Sequence, residues 1–125
     1  MADAMMVRLI NSLSEKTNTG NLQWTKTDTS ERFRASFTGY SVEIVSVVTF
    51  NPDIDEDDEN IQIRILNGND ELIEEVSYKD FDNFELANEE YPWRVFLALH
   101  RGARRSALGM TKAITAIVEQ LSGDE

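Results

Sequence analysis

Between Tyr40 and Phe50 the chain reads YSVEIVSVVTF. Val42, Ile44, Val45, Val47 and Val48 are β-branched, stiff at χ1 and suited to a pleated surface. A strand sends alternate residues to opposite faces, so Tyr40, Val42, Ile44, Ser46, Val48 and Phe50 share an almost wholly apolar face. The other face, Ser41, Glu43, Val45, Val47 and Thr49, begins polar and turns apolar halfway along. This pattern predicts a central antiparallel strand. One face is expected to be fully buried, and the other covered over part of its length by a helix, a loop or another copy of the chain.

The flanking elements follow from the same two periods. Met6, Leu9, Ile10 and Leu13 recur at helical spacing. They predict a helix over residues 3–17, with Asp3 as N-cap, Lys16 in the last turn and Gly20 as the stop. Leu22 and Trp24 alternate in an expected first strand, 21–27, with Trp24 in the core. After a turn at Thr29-Ser30, residues 31–37 place Phe33, Ala35 and Phe37 inward and Arg32, Arg34 and Ser36 outward. Thr38-Gly39 marks a hairpin into the central strand.

Residues 51–60, NPDIDEDDEN, read as a polar loop. Ile61, Ile63 and Ile65 then alternate inward in a fourth strand, 60–66. Asn67-Gly68-Asn69-Asp70 signals another hairpin. Residues 71–78 form a fifth strand whose Glu74 interrupts the inner face, as an edge strand tolerates. The acidic stretch 79–90 carries Phe81, Phe84 and Leu86, expected to fold back on the sheet. Pro92 fits the first turn of a helix, with Val95, Phe96, Leu99 and Ala103 inward and Trp93 at the seam between sheet and helix. Gly109 is expected to break or kink this helix. Thr111 is the expected cap of a last helix carrying Ile114, Ile117, Val118 and Leu121 on one face. The reading is a single α+β domain over residues 1–125: an N-terminal helix, a five-stranded antiparallel β-meander, and two C-terminal helices packed on one sheet face.

A chain of 125 residues, 41% hydrophobic, can bury an ordinary core as one domain. It has no cysteine, which excludes disulfides, thiolate zinc sites and a cysteine nucleophile. That suits a reducing cytoplasm, the expected location. The N-terminal segment lacks a basic region followed by an apolar core, so it does not read as a secretory signal. No apolar run approaches the roughly 20 residues that span a bilayer, and no membrane contact is expected. The net charge of -11 repels phosphates and disfavours nucleic acid as a partner, while it suits a basic protein.

Charge clusters are the remaining candidates for chemistry. Asp53, Asp55, Asp57, Asp58 and Glu59 offer alternating oxygen ligands, as calcium loops do. The spacing fails the EF-hand pattern, with Asp58 where glycine is needed and Arg64 where glutamate is needed. A solvated or partner-facing loop is the better reading. The second acidic region, from Asp70 through Glu90, reads as solvent-facing. Arg94, Arg101, Arg105 and Lys112, spaced by 7, 4 and 7 residues, would line one stripe of a straight helix, with Arg104 and His100 to either side. That stripe suits phosphates, an acidic partner or the chain's own carboxylates. His100 is the only histidine, and with no cysteine or second histidine to join it, triads and most metal sites need more than it offers. No catalytic residue, metal ligand or cofactor is assigned.

The segments LINSLSEKTNTGNLQWTKT, ERFRASFTGYSVEIV and ARRSALGMTKAITAIVEQL resemble stretches of small uncharacterised bacterial and phage proteins. Those have an N-terminal helix, an antiparallel meander and a C-terminal Ala-Arg-Arg helix. The resemblance implies the same order of elements and no known activity, so it carries over no functional residue. With no catalytic constellation in the sequence and a half-apolar second face on the central strand, the expected function is non-enzymatic: protein-protein contacts, with self-association as a homo-oligomer through the face of Val45 and Val47. The alternative is an acidic inhibitor or immunity-type protein that blocks a basic nuclease or nucleic acid-binding site, with Asp55, Asp57 and Asp58 at its contact. A nucleic acid binder using Arg94, Arg101, Arg104 and Arg105 ranks third because of the net charge.

Overall fold

Short antiparallel connections leave consecutive strands side by side, and this chain has little else between its strands. In a computed structural model, which describes residues 4–86 and 91–123 without the side chain of Asp58, the elements are α1 (Ala4–Asn18), β1 (Thr25–Lys26), β2 (Arg32–Phe37), β3 (Tyr40–Asn51), β4 (Glu56–Asn67), β5 (Leu72–Ser77), α2 (Pro92–Leu108) and α3 (Met110–Ser122). A single 3-10 turn, Tyr78–Asp80, follows β5. The sheet order is β1-β2-β3-β4-β5, antiparallel throughout. The α+β architecture, its helix-meander-helices order and its five strands are those read from the pattern. Asp3, the expected N-cap, lies outside the described residues.

The register aligns the apolar positions into rows. Phe33 pairs with Ile44, Ile44 with Ile63, and Ile63 with Val76. Opposed residues on neighbouring strands share a face. This row, with Ala35, Val42 and Ile61, meets Ile10 and Leu13 of α1 and Phe96, Leu99 and Ala103 of α2. Each fully buried Ile or Phe here contributes about 1.5–3 kcal/mol by leaving water. Trp24, Phe81 and Leu86 close the margins of the same core.

A small-residue contact fixes α1 against α2. Gly102 sits in mid-helix, where glycine is intrinsically unfavourable. A Cβ built there would lie 2.7 Å from Cγ2 of Thr17. The Thr17 hydroxyl accepts a hydrogen bond from the Trp24 indole at 3.0 Å, and the Trp24 backbone N–H donates to Ser106 Oγ at 3.0 Å. One tryptophan is thereby tied to both helices.

The structure departs from the pattern at several elements. The first strand is two residues long instead of seven, because its donors are used elsewhere. Asn21 and Leu22 give their N–H groups to Lys16 O at the end of α1, and Trp24 gives its own to Ser106. The expected loop 51–60 is mostly strand: β3 runs to Asn51 and β4 begins at Glu56. Asp55 makes the turn at φ 54, a left-handed conformation that Asp tolerates better than most residues. Of the two C-terminal helices expected on the apolar face, α2 lies there, joined by α1, while α3 buries none of its residues. Gly109 breaks the helix as expected, in the left-handed region at φ 64. It also holds the position before α3, so Thr111 is not the cap. Phe81 and Leu86 fold back onto the core, whereas Phe84 is exposed and packs on Tyr91, ring centroids 5.3 Å apart.

Candidate interaction surfaces

The second sheet face is covered by its own side chains. One row of cross-strand neighbours reads Arg34, Glu43, Arg64, Glu75, alternating in sign across four strands. Opposite charges so placed attract. Arg34 binds Glu43 through two nitrogens at 3.1 and 2.8 Å and reaches Asp70 at 3.2 Å. Arg64 lies 3.3 Å from Glu75. The hydrogen bonds that Arg34 donates to Glu43 hold its guanidinium above its ordinary pKa, with burial opposing the effect and the Glu43 and Asp70 charges adding to it. Val45, which pairs with Arg32 and Gln62, is 5% exposed. Val47, two positions on, is half-buried. The sequence contains the charge that each strand contributes, Arg34, Glu43, Arg64 and Glu75. The register between strands, which a single sequence does not state, was missing.

Beyond the ladder, β3 and β4 continue as a pair by themselves. β2 pairs with β3 only as far as Val45, and β5 pairs with β4 only from Gln62. Residues 47–60 thus form a two-stranded ribbon. The apolar face expected to be buried along all of β3 is buried only at Val42 and Ile44, while Val48 and Phe50 reach 57% and 60% exposure because no helix extends over the ribbon among the described residues. Ile54 at the turn is exposed too. Asp55 and Asp57 face solvent. Asp58 pairs with Thr49 through the backbone, and its side chain is outside the described residues. The ribbon is both apolar and acidic.

The basic residues of α2 are divided among several neighbours. Arg94 lies over the Trp93 ring, 5.3 Å from its centroid. Trp93 itself is half-exposed, not sealed at the seam. Arg104 Nε is 3.9 Å from Glu31 Oε2. Arg105 Nε lies 3.2 Å from Met110 Sδ, and Arg101 is exposed. Lys112 belongs to α3, beyond the break at Gly109, so the four-residue stripe of a straight helix does not form. Arg105 and Lys112 still border one polar groove between the end of α1 and the start of α3. His100 is buried under Phe33, and its Nε2 sits 3.0 Å from the Glu31 carbonyl. A carbonyl only accepts, so Nε2 carries the proton. This contact steadies Glu31, whose backbone is left-handed at φ 61.

The apolar residues of α3 remain outside the core. Met110, Ile114, Ile117, Val118 and Leu121 are all exposed. Among the described residues, no three His, Cys, Asp or Glu side chains converge so as to hold a metal ion, and no helix is long and apolar enough to cross a membrane. Compared with known proteins, the chain matches no family model, no curated protein and no solved structure. The functional reading therefore rests on surface chemistry.

Proposed function

We propose that this protein is a non-enzymatic interaction module that self-associates through α3. One observation carries the reading. Met110, Ile114, Ile117 and Leu121 follow one another at spacings of four, three and four residues, with Val118 alongside, and α3 has no buried residue. A stripe this narrow is the seam of a helix pair; a helix lying on a core carries a broader one. It is also self-complementary. In an antiparallel pair related by a twofold axis, Ile114 opposes Ile117 of the second copy and Met110 opposes Leu121, the arrangement an isologous contact requires. An isolated helix of 13 residues is marginal in water, and pairing supplies the packing that α3 otherwise lacks.

Two helices about 20 Å long bury less than the roughly 1,600 Å2 of a standard interface. The association is therefore expected to be concentration-dependent. Sedimentation velocity over a wide concentration range tests it. The expected mass rises from one chain toward two, and Ile117→Glu combined with Leu121→Glu holds it at one. A wild-type protein that stays at the mass of one chain at the highest concentration overturns the reading.

A further inference from the structure

We propose that the foot of the ribbon is a docking site for a basic segment of another protein, with one arginine or lysine side chain seated between Glu59, Tyr78 and Trp93. This inference does not depend on pairing through α3.

The cavity there has a volume of about 180 Å3 and is lined by Glu59, Ile61, Tyr78, Trp93, Phe96 and Leu97. Small-molecule sites occupy roughly 300–1,000 Å3, and a water takes about 30 Å3. The space thus suits one long side chain better than a cofactor. Its chemistry is apolar with a single carboxylate. Aromatic faces attract ammonium and guanidinium groups, and the apolar stem of Lys or Arg packs on Ile or Leu. Ser46 Oγ donates to Glu59 Oε2 at 2.7 Å, which fixes the carboxylate and, among the described residues, leaves its other oxygen open to a cation.

Two of the rings already carry cations of the chain itself: Arg94 over Trp93 at 5.3 Å, and Lys79 over Tyr78 at 5.8 Å. A further cation needs negative charge to offset these, and the ribbon supplies it. Residues 53–59 hold six carboxylates and no basic residue. The register sets the layout. Val48 opposes Glu59, and Phe50 opposes Asp57, on the face that carries Ile61 into the cavity. An apolar column and an acidic column therefore run side by side outward from the cavity. A segment that alternates basic and apolar residues matches both columns. A phosphate backbone is repelled by the same carboxylates, which makes the partner a protein.

The test uses three synthetic peptides of equal length: alternating Lys and Leu, the same with Gln for Lys, and the same with Glu for Lys. Trp93 fluorescence and amide NMR shifts report binding, since Trp24 is buried. The expected result is saturable binding of the basic peptide alone. It moves ribbon and Trp93 signals, weakens at least tenfold in Glu59→Gln and in Trp93→Ala, and weakens at high salt. Both residues are exposed, so the variants are expected to keep the fold, which circular dichroism checks. Equal binding of the three peptides, or no saturable binding of the basic one at low salt, overturns the site. Salt-sensitive binding unaltered by Glu59→Gln and Trp93→Ala also overturns it, by reducing the ribbon to a diffuse acidic surface.

Discussion

Gly102 shows how one residue sets the spacing of two helices. Its absent Cβ admits Thr17, whose hydroxyl is held by Trp24 and whose methyl therefore cannot swing away. Gly102→Ala gains up to about 1 kcal/mol of helix propensity, but overpacking of this kind costs about 1–3 kcal/mol. A net loss of stability is expected in urea unfolding. Adding Thr17→Ser removes the clashing methyl, keeps the hydroxyl, and is expected to restore the loss. If Gly102→Ala alone is more stable than wild type, the contact is not close. Glu43 is the second decisive residue. It is buried and carries the bonds to Arg34, so Glu43→Ala is expected to cost about 2 kcal/mol, the scale of a hydrogen bond to a charged group. The Arg34 guanidinium is held above its ordinary pKa, so its share of the stabilisation is complete below the ordinary arginine value and is lost only as pH rises through the raised folded one. The ladder's arginine therefore adds no pH dependence in the neutral range, and an unfolding series from mildly acidic to mildly basic pH checks this.

At the scale of elements, two parts project from an otherwise ordinary two-layer fold. The ribbon is a continuation of β3 and β4 past their neighbours, and α3 is a continuation of α2 past a left-handed glycine. The break at Gly109 directs α3 away from the line of α2, which separates its apolar stripe from the core-facing stripe of Phe96, Leu99 and Ala103. Gly109→Ala places a Cβ in the left-handed region, at a cost of about 1–2 kcal/mol. The expected consequence is lower stability with a shift toward one continuous helix, read by thermal unfolding and by NMR chemical shifts at residues 108–112. Because the α3 seam is offered at a different angle in that variant, its self-association is expected to change while the sheet signals stay in place.

Considered as a whole molecule, the protein carries a net charge of -11, with a run of acids on the ribbon and an exposed apolar stripe on α3. Salt separates the two associations these surfaces support. Apolar pairing through α3 is expected to hold or strengthen in high salt, whereas contact between the ribbon and a basic segment weakens as the Debye length falls from roughly 10 Å at 0.1 M to 3 Å at 1 M. Sedimentation and peptide titration at both ionic strengths check the two directions. A self-association that dissolves in salt would move the homotypic contact from α3 to charged surfaces.

The sequence by itself determined the elements whose chemistry is local. The alternation of Phe33, Ala35, Val42, Ile44, Ile61 and Ile63, the glycine at 109, the proline at 92 and the Asn67–Asp70 hairpin need only their own neighbours to specify a conformation. Tertiary structure alone decided what those elements meet. Trp24 abandons its strand because Ser106, 82 positions away, takes its N–H. Val45, flanked in register by Arg32 and Gln62 of other strands, is buried while Val47 two positions on is only half-buried, a difference the apolar pattern of the strand does not contain. Ile114, Ile117, Val118 and Leu121 carry a core-like pattern yet remain outside, because the turn at Gly109 directs them away from the sheet. Periodicity states which face of an element is apolar. Register, helix direction and long-range hydrogen bonds decide whether that face is covered by the chain itself or left for another molecule.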